Sequence, residues 1–263
     1  MNINKLEAAP LLKTKYIGKH YVFLESVDST STYLAAMDPE AAVHGTVVTA
    51  DAQTAGRGRM QNTWHSPAGL NLYFSVLLRP AIVPAKIPQL ALVTAVALVT
   101  ALKNNYPDLH TGVKWPNDIL VQDRKLAGIL CEMKVEGDKI HHVIIGAGIN
   151  INSRSETYPP ELRGRAISLL DATGKVSSRE DLLSGILTEL ERCYELWLER
   201  GLSPFLAIID DNSAISGREI TVVTQNKEIT GIARGLSDDG YLRLETPDGI
   251  LQFPAGEVHL IRK

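Results

Sequence analysis

Between Gln89 and Lys103 the chain is apolar on nearly every face that a helix could present. A surface helix carries one apolar stripe opposite a polar face; a helix with no polar face has to be enclosed. The stretch Leu90–Leu102 is 13 residues long and contains Thr94 and Thr100. It falls short of the ~20 residues that span a bilayer. It therefore predicts a core helix, and a chain with enough further elements to surround it. With 263 residues, 44% of them hydrophobic and 22% charged, the chain can enclose such a helix. That length favours one large domain with a small companion.

The formal net charge of −3 argues against wholesale binding to a phosphate backbone, though not against a local basic patch. Cys131 and Cys193 stand far apart, match no zinc spacing and read as small buried residues. The opening residues Met1–Lys5 lack the apolar core of a signal peptide. A soluble, cytoplasmic protein without a membrane segment is expected.

Tyr21–Leu24 reads as a strand, followed by Asp28-Ser29-Thr30-Ser31 at the start of a helix running towards Met37. Ser29 and Thr30 suit capping, and a helix start also presents free N–H groups. A strand over residues 45–50 leads into Gln53-Thr54-Ala55-Gly56-Arg57-Gly58-Arg59. Glycines permit close backbone approach, and guanidinium forks grip carboxylate or phosphate. A flexible basic turn is the plain alternative. Further strands are expected over residues 70–78, 111–115, 119–121, 125–132 and 139–145, with turns at Pro116 and Gln122-Asp123. Gly128 falls mid-strand, where something comes close. His141 and His142, adjacent on a strand, should face opposite sides and share no metal. Gly146 and Gly148 close that strand without a dinucleotide fingerprint.

Ser178 and Asp181 open an amphipathic helix with the stripe Leu183, Ile186, Leu187, Leu190, Cys193, Tyr194 and Trp197. Glu189, Glu191, Arg192 and Glu195 lie mainly off that stripe. Ser203-Pro204 starts a shorter helix. From Gly217 onwards the texture changes to five short strands with tight turns, one of them Gln225-Asn226-Lys227, which suggests a small barrel. The expected division is residues 1–215 and 216–263.

The polar clusters Ser29-Thr30, Gln53 with Gly56–Arg59, Lys114-Trp115-Pro116-Asn117-Asp118 and Arg124-Lys125 all sit at strand ends or turns. Loops on a rigid sheet carry function. Neutral hydrogen-bonding groups (Ser29, Thr30, Gln53), the cations Arg57, Arg59 and Lys125, and the Asp118 carboxylate suit a ligand with a polar neutral head and an anionic end. They equally suit phosphoryl or adenylyl chemistry, where the protein positions groups and neutralises charge. No Walker loop and no Gly-x-Ser-x-Gly elbow occurs.

In this order, Asp28-Ser29-Thr30, Gln53–Arg59, Lys114–Ile119, Arg124–Leu130 and Gly146–Asn150 resemble the biotin protein ligases over about residues 21–263. The resemblance implies an α+β fold: a mixed-sheet catalytic domain of the biotin/lipoate ligase type, helices on one face, and a small SH3-like C-terminal barrel. It implies ATP-dependent formation of biotinyl-5′-AMP, assisted by Mg²⁺, then transfer to a lysine of a biotin carboxyl carrier protein. By the same resemblance, biotin is held by Ser29, Thr30, Ser31, Gln53, Gly56, Arg57, Gly58, Arg59, Trp64, Lys125 and Gly128. Arg57, Arg59, Lys114, Asn117, Lys125 and Asn150 match the nucleotide site. Lys125, Arg59 and Asp118 are the catalytic candidates, Asp118 for the incoming lysine's proton or a metal contact. No metal ligands are assigned.

A labile adenylate calls for water exclusion, so residues 56–63 are expected to order only with ligand. The sequence departs from the family at Met60-Gln61-Asn62-Thr63, where a further glycine-arginine pair is usual. It departs again at Ser31, where asparagine is common. Some relatives carry an N-terminal helix-turn-helix; about 20 residues precede the first strand here, so specific DNA binding is expected to be absent. A homodimer is implied by resemblance alone. The rivals are a lipoyl or octanoyl carrier-protein acyltransferase and a non-enzymatic biotin- or nucleic-acid-binding regulator.

Overall fold

Two sheets organise the chain in the computed structural model, which describes residues 12–137, 139–224 and 227–261. Met1–Lys5 and the turn residues Gln225-Asn226 lie outside those residues.

The first sheet contains β1 (Tyr21–Val27), β2 (Val47–Gln53), β3 (Leu72–Leu78), β4 (Gly112–Lys114), β5 (Asp118–Val121), β6 (Arg124–Glu136) and β7 (Lys139–Ile149). Their spatial order is β1-β2-β3-β7-β6-β5-β4. Only β1 and β2 run parallel; every other neighbouring pair is antiparallel. The parallel pair needs a crossover, and α1 (Thr30–Ala36) lies within it. Strands β5 and β6 are joined by two residues, Gln122 and Asp123, both at positive φ (52° and 57°). That conformation matches the twist of a tight hairpin.

The expected core helix is α2 (Gln89–Asn105), buried from Gln89 to Val99 and again at Ala101 and Leu102. Residues 84–105 are long and apolar enough to cross a membrane, but 72% of the apolar window is buried inside this fold. α2 packs on the sheet and against α4 (Arg179–Arg200). Trp197 Nε1 donates to Gln89 Oε1 at 2.9 Å, tying the end of one helix to the start of the other. Ser178 caps α4 by accepting from Asp181 N, and the whole expected stripe is buried. The shorter α3 (Leu169–Thr173) and α5 (Ser203–Asp211) complete the helices.

Alternation along the strands separates two cores. Val47, Phe74, Val76, Leu78 and Ile145 face α2 and α4. Val48, Leu77 and Ile144 face the other way, joining Leu34 of α1 and Ala42. The long helices thus share one face, while α1 covers the other.

Four local readings change. Ser29 occupies the N-cap position of α1, but its side chain makes no capping bond. β7 continues through Gly146 and Gly148 rather than ending there. His141 and His142 do not diverge: their Nδ1 atoms lie 2.9 Å apart. The β6–β7 register shifts between Lys134 and Val135, leaving His141 as the extra residue of a bulge. Glu191 is buried: its carboxylate accepts from the backbone N–H groups of Lys15 (2.6 Å), Tyr16 (3.0 Å) and Ile17 (2.8 Å). The apolar stripe hid it, because it lies beside Leu187 and Leu190 rather than opposite them.

The second sheet is antiparallel throughout, ordered β11-β10-β9-β8-β12. Its strands are β8 (Glu219–Val223), β9 (Glu228–Leu236), β10 (Leu242–Thr246), β11 (Gly249–Phe253) and β12 (Glu257–Leu260). These are the five short strands expected from the sequence. Trp115 Nε1 donates to Gly240 O at 3.0 Å, joining this sheet to the end of β4.

Candidate active site

The parallel pairing of β1 with β2 sets Val27 beside Gln53, so both carboxyl ends open at one edge. Thr54 N donates to Val27 O (2.8 Å) and Ala55 N to Asp28 O (2.9 Å), which extends the pairing into the loops. The start of α1 and the segment after β2 are thereby held side by side.

Ser29, Thr30 and Ser31 are buried there. Gln53 Oε1 accepts from Thr30 N (2.9 Å) and Thr30 Oγ1 (3.3 Å). Its Nε2 donates to Ser66 Oγ (3.0 Å). The Thr30 and Ser31 hydroxyls both meet Ser75 Oγ, at 2.8 and 2.9 Å. Ser75 and Ser66 were not singled out from the sequence. Ser75 is the one polar residue in the apolar run Leu72–Leu78, and that contrast was its signal.

β6 and β7 form the floor. Gly128 pairs with Gly148 across them, and both meet Trp64. A Cβ on Gly148 would lie 2.4 Å from Trp64 Cε2 and Nε1; one on Gly128 would lie 2.9 Å from Trp64 Cζ3. The indole therefore rests where any other residue pair would place methyl groups. A Cβ on Gly146 would come within 2.6 Å of Ser31 Oγ. The buried Trp64 N–H has no hydrogen-bond partner among the described residues.

Lys125 projects from β6, its Nζ 5.2 Å from the Trp64 ring centroid and 2.7 Å from Asp118 Oδ1. Lys114 Nζ approaches Asp118 Oδ2 at 3.8 Å. Burial lowers the Lys114 pKa below the ordinary lysine value, against the opposing pull of Asp118. Asn117 follows a cis Trp115–Pro116 bond and donates to Ile129 O at 2.8 Å.

The glycine-arginine loop folds on itself. Trp64 N donates to Gly56 O (2.8 Å), Arg57 bridges to Thr63, and Gly58 N donates to Asn62 O (2.7 Å). Met60 and Gln61 turn the tip at φ 52° and 63°. The segment expected to order only with ligand thus has internal bonds of its own. Arg57 donates from Nη1 and Nη2 to Glu132 Oε1 (2.9 Å) and Oε2 (2.6 Å). Arg59 Nη1 donates to Asn117 Oδ1 and to Gly256 O, both at 3.2 Å.

Of the expected biotin-binding residues, all but Gly56 line one narrow cleft with a cavity of about 40 Å³, and Asn117 lines it as well. Gly56 lies at the loop base, where a Cβ would press on Trp64 O and Ser66 Oγ, both at 2.7 Å. Lys114 and Asp118 stand behind Lys125. Asn150 does not line the cleft: its Nδ2 donates to Lys125 O (3.2 Å) and its N to Leu126 O (2.9 Å), fixing the backbone beneath Lys125. A second hollow of about 770 Å³ adjoins the outer side of the loop, bordered by Pro116, Met133 and Pro254. Among the described residues no group of three His, Cys, Asp or Glu side chains gathers to hold a metal. Two acids beside the cleft, Asp118 and Glu132, are engaged by basic side chains.

One cleft thus combines a neutral polar end with a cationic end, as binding a polar-headed carboxylic acid and then a polyphosphate requires. Comparison with known proteins agrees. Residues 23–150 match the biotin/lipoate A/B protein ligase family, and residues 215–260 match the biotin protein ligase C-terminal domain. The chain is 38% identical over 249 residues to the bifunctional ligase/repressor BirA of Bacillus spizizenii, covering 95% of this chain and 76% of that protein. It is 32% identical over 250 residues to the biotin–[acetyl-CoA-carboxylase] ligase of Mycobacterium tuberculosis, covering 92% and 88%. The structure of the Aquifex aeolicus biotin protein ligase in complex with biotin and ATP superposes with a TM-score of 0.81 at 33% identity, covering 93% of this chain and all of that one. The fold, the cleft and these likenesses along nearly the whole sequence agree, and the chain belongs to the biotin protein ligase family.

Proposed function

We propose that this protein is an ATP-dependent ligase that activates biotin as biotinyl-5′-AMP and transfers the biotinyl group to a lysine of a biotin carboxyl carrier protein. The observation that carries the reading is the joining, in one cleft, of a hydroxyl–amide cluster (Ser29, Thr30, Ser31, Gln53) to Lys125 and Arg59, with Arg57 beside them already bound to Glu132. The cluster suits the ureido head. The cations suit the biotin carboxylate and the ATP phosphates, whose mutual repulsion has to be screened before they react.

In the first step a biotin carboxylate oxygen attacks the α-phosphorus of ATP and pyrophosphate leaves. Lys125 is placed to hold that oxygen and to meet the charge growing at phosphorus. Asp118 aims it: with both oxygens turned to lysines, Asp118 serves as an anchor rather than as a base. In the second step the carrier lysine attacks the acyl carbon, loses a proton, and AMP departs. Asn117, held by Ile129 O, and Arg59 border the nucleotide end of the cleft. We read Asn150 as a support for Lys125. ATP would arrive as its magnesium complex. With Asp118 and Glu132 already paired, the metal would be carried on the phosphates, the usual preference of Mg²⁺ in nucleotide sites.

We assign residues 1–215 to the catalytic unit and 216–263 to the C-terminal unit, and the protein to the cytoplasm, where carrier and ATP would meet it. A homodimer would form at a sheet edge, where β1 offers seven residues against three in β4.

The test is mass spectrometry of a carrier domain after incubation with the protein, biotin and MgATP, with octanoate and lipoate as parallel substrates. Biotin-dependent, ATP-dependent modification of one lysine is expected. Modification by octanoate or lipoate alone, or DNA retention without AMP formation, would replace this reading with one of its rivals.

A further inference from the structure

Arg57 reads from the sequence as a cation for the ligand, but both its terminal nitrogens are spent on one carboxylate, that of Glu132. Gly128, Leu130 and Glu132 alternate along β6 and share the cleft face of the sheet. Glu132 stands at the outer end of that row, just beyond the cleft wall. Arg59 reaches Asn117 and the Gly256 carbonyl. The loop is therefore pinned at two points, Arg57 to Glu132 and Arg59 to Asn117 and Gly256, while its tip turns through the left-handed residues Met60 and Gln61.

We infer that Glu132 is a positioning residue for the reaction: it holds Arg57 as a strut, and the strut sets how long the cleft retains the adenylate. This rests on the proposed function. Both partners are part-exposed, 43% for Arg57 and 39% for Glu132. A single point contact there would count for little, but the two-pronged geometry fixes the orientation of the guanidinium as well as its distance. The strut also explains how the loop keeps one fold although its tip departs from the family at Met60-Gln61-Asn62. The contact to β6 holds the loop base without help from the tip. Neutralising Glu132 and freeing Arg57 have opposite consequences under the two readings of Arg57. If Arg57 is a strut, loss of Glu132 loosens the loop. If Arg57 is a phosphate grip that Glu132 competes for, loss of Glu132 tightens ligand binding.

The experiment compares wild type, Glu132→Gln and the exchanged pair Arg57→Glu/Glu132→Arg. In ligand-free protein, hydrogen exchange at residues 57–63 should run roughly three- to tenfold faster in Glu132→Gln, with recovery in the exchanged pair. This arm needs no substrate, so it stands or falls separately from the assignment of biotin. Dissociation of preformed biotinyl-5′-AMP should accelerate by a similar factor in Glu132→Gln and recover in the exchanged pair, while single-turnover transfer to the carrier keeps its rate in Glu132→Gln. Slower dissociation in Glu132→Gln, unchanged exchange in the loop, or failure of the exchanged pair to recover either property would overturn the inference.

Discussion

The Lys125 ammonium lies 2.7 Å from Asp118 Oδ1, while Lys114 approaches the other oxygen of the same carboxylate at 3.8 Å. One half-buried carboxylate thus holds two lysines whose mutual repulsion would otherwise drive them apart. Asp118→Asn removes the charge and keeps the shape. Burial already lowers the Lys114 pKa, and Asp118 works against that effect. Without it Lys114 loses its proton at lower pH. The expected result is an adenylation rate lower by about 10- to 100-fold, with an alkaline limb moved to lower pH. Pyrophosphate release measured across pH checks both.

Lys125→Ala should cut adenylate formation severely while sparing the fold, because the side chain is part-exposed at the cleft and Asp118 retains Lys114. A fall of about 10²–10³-fold is the scale for losing one preorganised charge at a developing oxyanion. The readout is biotin-dependent pyrophosphate release beside thermal unfolding. Full activity would remove Lys125 from the mechanism.

Gly148→Ala should act through Trp64. The new methyl would occupy space 2.4 Å from the indole, and neither β7 nor the ring can yield while staying in place. KM for biotin should rise about tenfold or more, as expected when a wall residue of a binding site is misplaced. The tryptophan fluorescence change on biotin binding should shrink in parallel. An unchanged KM would mean that the indole does not form the wall.

Glu191→Ala should destabilise without touching chemistry. It strips three backbone N–H groups, at Lys15, Tyr16 and Ile17, of their acceptor. The cost should be about 3 kcal/mol, within the range for leaving buried donors unpaired. Denaturant unfolding measures it, and steady-state kcat below the transition should match wild type.

Acid should weaken the fold through His44 and His142, both lowered from 6.5 chiefly by burial. The folded state then binds fewer protons than the unfolded state as pH drops. Their contribution is present in full above about 6.5 and is lost as pH falls through the lower folded values. His44 Nδ1 also accepts from Arg79 N at 2.9 Å, a bond that requires that nitrogen to be unprotonated. Unfolding temperatures between pH 8 and pH 5 should fall on the acid side, less steeply in His142→Gln.

Much of this was legible because chemistry and geometry coincide at strand ends. The order Ser29, Gln53, Arg59, Asn117, Lys125 along the chain already names the cleft, and the stripe from Leu183 to Trp197 already names the helix face. What escaped has physical reasons. Glu132 was invisible because its importance comes from Arg57, 75 residues away. The contact between His141 and His142 arises from a bulge, which strand alternation cannot foresee. Asn150 falls in a recognised motif, but its bond to Lys125 O is a tertiary contact that the motif does not foretell.

The hydroxyl cluster has a direction. Ser66 Oγ donates to Trp64 O at 3.0 Å, and a carbonyl can only accept. Ser66 therefore receives from Gln53 Nε2, which leaves Gln53 Oε1 to accept from Thr30. The Thr30 proton is committed to Gln53, so Ser75 gives its proton to Thr30 and Ser31 gives its own to Ser75. Every proton in the relay points away from its Ser31 end, and what remains there is lone pairs. Such an end satisfies a head group that brings N–H donors, as a cyclic urea does. It leaves a bare hydrocarbon or dithiolane head facing oxygens stripped of water, at a cost of about 1–3 kcal/mol for each unmet group. Discrimination between biotin and its acyl rivals would then begin at the carbonyl of Trp64, on the far side of the relay from the ligand.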